Sequence, residues 1–136
     1  MSNIKKKIGK FIFRKFDEFW LSDFEFNQNE TSFEIYQETF NEELIHKILT
    51  ELNGELLNVN KEGVYLLSIL SEIFWGHDRN NVFQFSGFVI DNEISQRFID
   101  FRMCYHCTGE DNFSDFANWF IDIKDFKIVG CIRQQL

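Results

Sequence analysis

Near the C-terminal end, Ile99, Phe101, Met103, Tyr105 and Cys107 alternate with Asp100, Arg102, Cys104 and His106. A period of two describes an extended strand with one face buried and the other wet. A second such run follows, in which Ala117, Trp119, Ile121 and Ile123 alternate with Asn118 and Asp122, although Phe116 and Phe120 load the second face as well. Between them, Thr108-Gly-Glu-Asp-Asn-Phe-Ser-Asp115 is rich in turn formers and poor in apolar residues, so it reads as a loop. A third strand is expected from Phe126 to Arg133, after a tight connection at Lys124-Asp125. The chain is therefore expected to end in an antiparallel meander, and the whole to be an α+β domain with that sheet packed against about three helices.

Upstream, the stretch 3–21 fits a helix. At 100° per residue Ile4, Ile8, Phe11, Ile12, Phe16, Phe19 and Trp20 share one broad half, with Lys6, Lys7, Lys10 and Arg14 on the other. Such a basic amphipathic helix can lie on a membrane surface, but aromatics this bulky suit a core. Phe24-Glu-Phe26 and Ser32-Phe-Glu-Ile-Tyr36 alternate around Asn27-Gln-Asn-Glu30, the pattern of a small hairpin. Next, Leu44, Ile45, Ile48, Leu49 and Leu52 form a helical stripe; Thr39 with Glu42 makes a capping box, and Asn53-Gly54 a left-handed stop. Glu55–Asn60 is expected as a short strand ending in a turn through Asn60-Lys-Glu-Gly63. Val64–Trp75 is apolar almost all round, and its twelve residues suit a buried helix closed by Gly76 better than a central strand. Val82–Ile90 reads as a strand in which Gly87 is a bulge, returning Phe88 and Ile90 to the face of Phe83 and Phe85.

A length of 136 residues predicts one continuous domain, and 18 phenylalanines can fill its core without disulfides or metal. Three cysteines, Cys104, Cys107 and Cys131, form no spaced framework, and no apolar run approaches the roughly 20 residues of a membrane span. Both point to the cytoplasm. The net charge of −8 is unevenly distributed: the first fifteen residues hold six basic side chains and no acid, the remainder 8 basic against 22 acidic. Such a body repels nucleic-acid phosphates and anionic lipid and attracts a basic partner. The positive N-terminal stretch offers a surface to the acidic body of a second copy, as in a homodimer.

No motif forces a chemistry. Cys104-Tyr-His-Cys107 invites a zinc reading, yet on a strand its two thiols point to opposite faces; Cys131 could join Cys104 and His106 from a neighbouring strand. Small half-buried thiols are the simpler account. His77 and Asp78 in Trp75-Gly-His-Asp-Arg79 lack an accompanying nucleophile, and Glu110, Asp111, Asn112 and Asp115 lack the central glycine and alternation of a calcium loop. No Gly-rich phosphate loop, nucleophile elbow or zincin motif occurs. The chain is thus expected to be no enzyme and to need no cofactor and no metal.

In size, acidity and lack of a catalytic signature the chain resembles the immunity proteins that neutralise bacterial toxins. The resemblance implies a basic toxin partner, often a nuclease, whose cationic cleft is covered by carboxylates and aromatics. Partner-binding residues are then expected at Glu110, Asp111 and Asp115 on the long loop, at His77 and Asp78, and at Asp91 and Glu93 after the Val82–Ile90 strand. The competing expectation is a small-molecule binder or small enzyme with an aromatic pocket between sheet and helices, its polar groups supplied by Asp100, Tyr105 and His106.

Overall fold

The computed structural model describes residues 4–75, 83–107 and 117–135. Eight strands form one sheet whose spatial order follows the chain: β1 (Lys5–Ile8), β2 (Phe11–Phe16), β3 (Phe19–Phe26), β4 (Asn29–Tyr36), β5 (Phe83–Ile90), β6 (Phe101–Cys107), β7 (Ala117–Lys124) and β8 (Lys127–Gln135). Neighbours run antiparallel except β4 and β5, which are parallel. Parallel neighbours need a long crossover. Here it is two helices, α1 (Glu42–Thr50) and α2 (Glu55–Trp75). A short helix, α3 (Asn92–Gln96), links β5 to β6. The α+β fold and its C-terminal meander, β6 to β8, are as the alternation predicts, and the meander gains β5 at its edge.

The expected helix over 3–21 is overturned: its described residues, from Ile4 on, belong to three strands and to no helix. Turns at Gly9 (φ 59°) and Asp17 (φ 51°) break the region into short runs, and the runs of β2 and β3 are rich in isoleucine and aromatic residues. Those residues stiffen at χ1 and fit a pleated surface better than a helical one. Phenylalanine is so frequent here that a helical stripe arises by coincidence. The lysines of β1 also suit its place at the sheet margin, where charge discourages pairing with a further strand.

Residues 55–60 depart as well. They form no strand but the first turns of α2, which runs unbroken through Asn60 and Gly63. Leu56, Val59, Asn60, Gly63 and Leu67 recur at helical spacing and are all buried. At the expected turn, helix and sheet make close contact. A Cβ on Gly63 would lie 3.1 Å from the Tyr105 hydroxyl and 3.3 Å from Ile121, and that hydroxyl donates to Asn60 Oδ1 at 2.8 Å. The α1 cap is also corrected: Asn41 Oδ1 accepts from the Leu44 amide, while Thr39 donates to the Tyr36 and Ile90 carbonyls. Gly54 is not left-handed; Glu51 closes α1, its amide donating to Ile48. The stop expected at Gly76 lies outside the described residues.

Both long helices press on one face of the sheet. Ile45, Ile48, Leu49, Leu52, Leu56, Val59 and Leu67 join Phe13, Trp20, Phe33, Phe88, Phe101, Met103, Trp119 and Ile121 in one core. Gly87 does mark a bulge, the register shifting between Phe85 and Gly87, and Phe83, Phe85, Phe88 and Ile90 are all buried. Phe88 is the hub, with rings of Phe24, Phe26, Phe33, Phe85 and Phe101 at centroid distances of 4.7–6.2 Å. No described helix is long and apolar enough to cross a membrane.

Candidate protein-docking face

The strand period that sends phenylalanines towards the helices sends a second set of side chains the opposite way. On β3 that set is Phe19, Leu21, Asp23 and Glu25; on β4 it is Glu30, Ser32, Glu34 and Tyr36. The register fixes their neighbours. Phe19 faces Tyr36, Leu21 faces Glu34, Asp23 faces Ser32, and Glu25 faces Glu30. Directly opposed carboxylates repel across an antiparallel pair. Asp23, Glu25, Glu30, Ser32 and Ser86 also line a surface trough of about 580 Å³. Among the described residues, none of the carboxylates of Asp23, Glu25, Glu30 and Glu34 forms an ion pair. The helices leave this face open over β3 and β4, and it is acidic.

Towards β1 the sign reverses. Lys5, Lys7 and Arg14 stand on the same face, with Ile12 (46% exposed) and Phe16 (42% exposed) between them. Lys10, Ile12, Arg14, Phe16, Leu21 and Asp23 contribute to a second cleft of about 570 Å³ where β2 parts from β3. Lys6 takes the helix side, its ammonium 4.3 Å from the Phe40 ring centroid and 5.0 Å from that of Trp20.

Towards β8 the face closes over an internal charge pair. Arg102 Nε donates to Asp122 Oδ1 at 2.7 Å, with both side chains almost without solvent contact. Burial pulls the guanidinium pKa down, but the hydrogen bond and charge of Asp122, aided by Glu93 and Asp91, leave it raised. The guanidinium also sits 4.8 Å from the Phe120 ring. Beside it, burial pushes the Cys104 thiol up to about 12 despite the opposing field of Arg102. Such a thiol is a poor nucleophile and a poor metal ligand at neutral pH.

Of the residues expected to bind a partner, Asp91 and Glu93 can be placed. Asp91 caps α3, its Oδ1 accepting from the Ile94 amide at 2.9 Å, so this carboxylate is committed to the fold. Glu93 is exposed and forms a 3.7 Å ion pair with Arg97 one helical turn on, a contact worth little in solvent. His77, Asp78, Glu110, Asp111 and Asp115 lie outside the described residues. The clustering of carboxylates falls instead on Asp23, Glu25, Glu30 and Glu34. Glu25 and Glu34 carry a signal in the sequence, alternating with phenylalanine and isoleucine in the expected hairpin, whereas Asp23 precedes its first strand and Glu30 falls in its expected turn.

The cysteine constellation does not assemble. Cys104 and Cys107 do point to opposite faces, but Cys131 pairs with core-facing Ile121, whereas Cys104 pairs with outward Phe120. Among the described residues no three His, Cys, Asp or Glu side chains converge as a metal set. The residues expected to line an aromatic pocket are likewise dispersed. Tyr105 is 1% exposed in the core, His106 is exposed on the other face, and Asp100 holds Lys124 and the Asp125 amide.

Comparison with protein-family models, curated proteins and solved structures finds no match to this chain.

Proposed function

We propose that this protein is a binding protein whose open β3–β4 face docks onto a cationic protein and inhibits it, in the manner of a toxin-neutralising immunity protein. The observation that carries the reading is the Glu25–Glu30 pair, held opposite each other in a trough shared with Asp23. Nothing in the fold requires acids there, because the outward face of a hairpin accepts any polar residue. Their repulsion is a standing cost to the free protein that a cation from outside removes. Aromatic rims at Phe19 and Tyr36 supply the apolar anchors that hold such complexes together, while the charge speeds encounter. A cytoplasmic partner of toxin type fits both this chemistry and the acidic balance of the chain.

The test is capture from the native host by the wild type and by a variant carrying Asp23→Asn, Glu25→Gln, Glu30→Gln and Glu34→Gln. The wild type is expected to retain a basic protein in low salt and release it in high salt, and the variant to retain none. Adding the wild type to the captured protein is expected to abolish its activity. Equal capture by both forms overturns the assignment of the face; capture without loss of activity overturns inhibition.

A further inference from the structure

β3 outruns the strand beside it. Its ladder with β2 covers only Phe19, Trp20 and Leu21, opposite Phe16, Lys15 and Arg14, while its ladder with β4 continues to Phe26. From Ser22 onwards β3 therefore keeps an edge that no described strand takes. The two-residue turn Asn27-Gln28 makes Phe26 and Asn29 a hydrogen-bonded pair, and bonding alternates from there back along the hairpin. Ser22, Phe24 and Phe26 turn their backbone groups to β4, in keeping with the Thr31 hydroxyl, which donates to the Phe24 carbonyl at 3.2 Å. Asp23 and Glu25 turn theirs to the open edge. Beside it lies the cleft of about 570 Å³, its floor closed by the Phe11 and Phe24 rings at a centroid distance of 5.3 Å. Ser22 lines this cleft at 3% exposure, and its hydroxyl has no hydrogen-bond partner among the described residues. At the closed end, where the ladder resumes, exposed Arg14 forms no ion pair with a described residue.

We infer that the open edge of β3 takes up the carboxyl-terminal tail of the cationic partner as a short added strand. Backbone pairing with Asp23 and Glu25 supplies the hold, as in other cases of strand addition. Antiparallel pairing, the more frequent kind, runs the tail towards Leu21 and brings its terminal carboxylate to Arg14 and the Ser22 hydroxyl. Counting back from that end sets the sequence. The last residue lies opposite Ser22, and those before it lie opposite Asp23, Phe24 and Glu25 in turn. Directly opposed residues share a face, so the second and fourth from the end stand beside the two carboxylates and are basic. The first and third turn to the aromatic floor and are small. Lys10, the other cation of the cleft, rests against the Phe11 ring, 5.5 Å from its centroid. Both signs of charge on the cleft are thus matched by one tail. The inference rests on the docking reading for its partner, yet the two fail separately: a chain that captures a basic protein but binds no tail peptide overturns the tail and leaves the docking face.

Calorimetric titration of the purified chain with acetyl-Lys-Ala-Lys-Ala bearing a free carboxylate tests it. Saturable one-to-one binding in low salt is expected. Amidating the carboxylate is expected to weaken binding about tenfold, the loss of a charge-assisted contact. Methylating the backbone nitrogen of the second lysine, which donates to the Asp23 carbonyl, is expected to abolish binding, as is replacing both lysines by glutamate. Arg14→Gln is expected to bind the acid no better than the amide. A wild type with no saturable binding up to about 1 mM overturns the inference. So does equal binding of acid and amide, tolerance of the methylated nitrogen or of the glutamates, or an Arg14→Gln variant that still prefers the acid.

Discussion

Arg102 and Asp122 show how much a single residue can hold. Removing one member of a buried ion pair strands the other without water. Asp122→Ala is therefore expected to cost about 3–5 kcal/mol, measured by chemical denaturation. Replacing both by Met and Leu is expected to recover most of that loss, since the apolar pair leaves no stranded charge. Gly87 is limited by space and not by its backbone angle: a Cβ would sit 2.7 Å from the Ser32 carbonyl oxygen on β4. Gly87→Ala is expected to destabilise by about 3 kcal/mol, seen as a lower denaturation midpoint. The Cys104 thiol makes a pH prediction. Its pKa is about 12 in the folded protein against 9.0 for an unperturbed thiol, so above about 9 the unfolded chain loses its proton first. Stability is then full below about 9 and falls as pH climbs towards 12. Burial also raises Cys131 and Tyr105, adding to the same alkaline loss. Denaturation midpoints across this range check the sign, and Cys104→Ala is expected to flatten the slope.

At the scale of elements, the turns decide the N-terminal half. Asn27 and Gln28 both hold positive φ, the geometry of a two-residue hairpin turn in which glycine is favoured at the second place. Gln28→Gly is expected to raise stability by about 1 kcal/mol through relief of left-handed strain, read from the thermal midpoint. This also explains which elements were legible in the sequence. In β6 and β7 the period of two is sustained through Tyr105 and Trp119, and no helical stripe competes with it. Between Ile4 and Trp20 the phenylalanines satisfy 3.6 and 2.0 together, and only turn residues at Gly9 and Asp17 separate the two readings. Asn60 and Gly63 misled in the opposite sense. Their chemistry is that of a turn, but here the glycine admits the sheet and the amide receives Tyr105. Such a role depends on β6, more than 40 residues away along the chain, and no local pattern carries it. Of the acids of β3 and β4, Glu25 and Glu34 were visible as the polar half of an alternating hairpin, while Glu30 read as its turn and Asp23 lay before it. Their assembly beside Ser86 of β5 was not, because the parallel pairing of β4 with β5 is set by the helical crossover.

For the whole molecule, the uneven charge of the sequence becomes a division of one sheet face. The basic N-terminal strands occupy one flank, the carboxylates of β3 and β4 the middle, and the Arg102–Asp122 pair the other flank. The helices and the phenylalanine core back the sheet from its other face and hold the acids of β3 and β4 in fixed register. Preorganisation of this kind lowers the ordering cost of binding. The most direct test is carbodiimide labelling of carboxylates in the captured complex, compared with the free protein. Loss of labelling at Asp23, Glu25, Glu30 and Glu34, with Glu42, Glu43 and Glu62 of the helices still labelled, is the predicted result; protection of the helix carboxylates with the strand acids left reactive would contradict it.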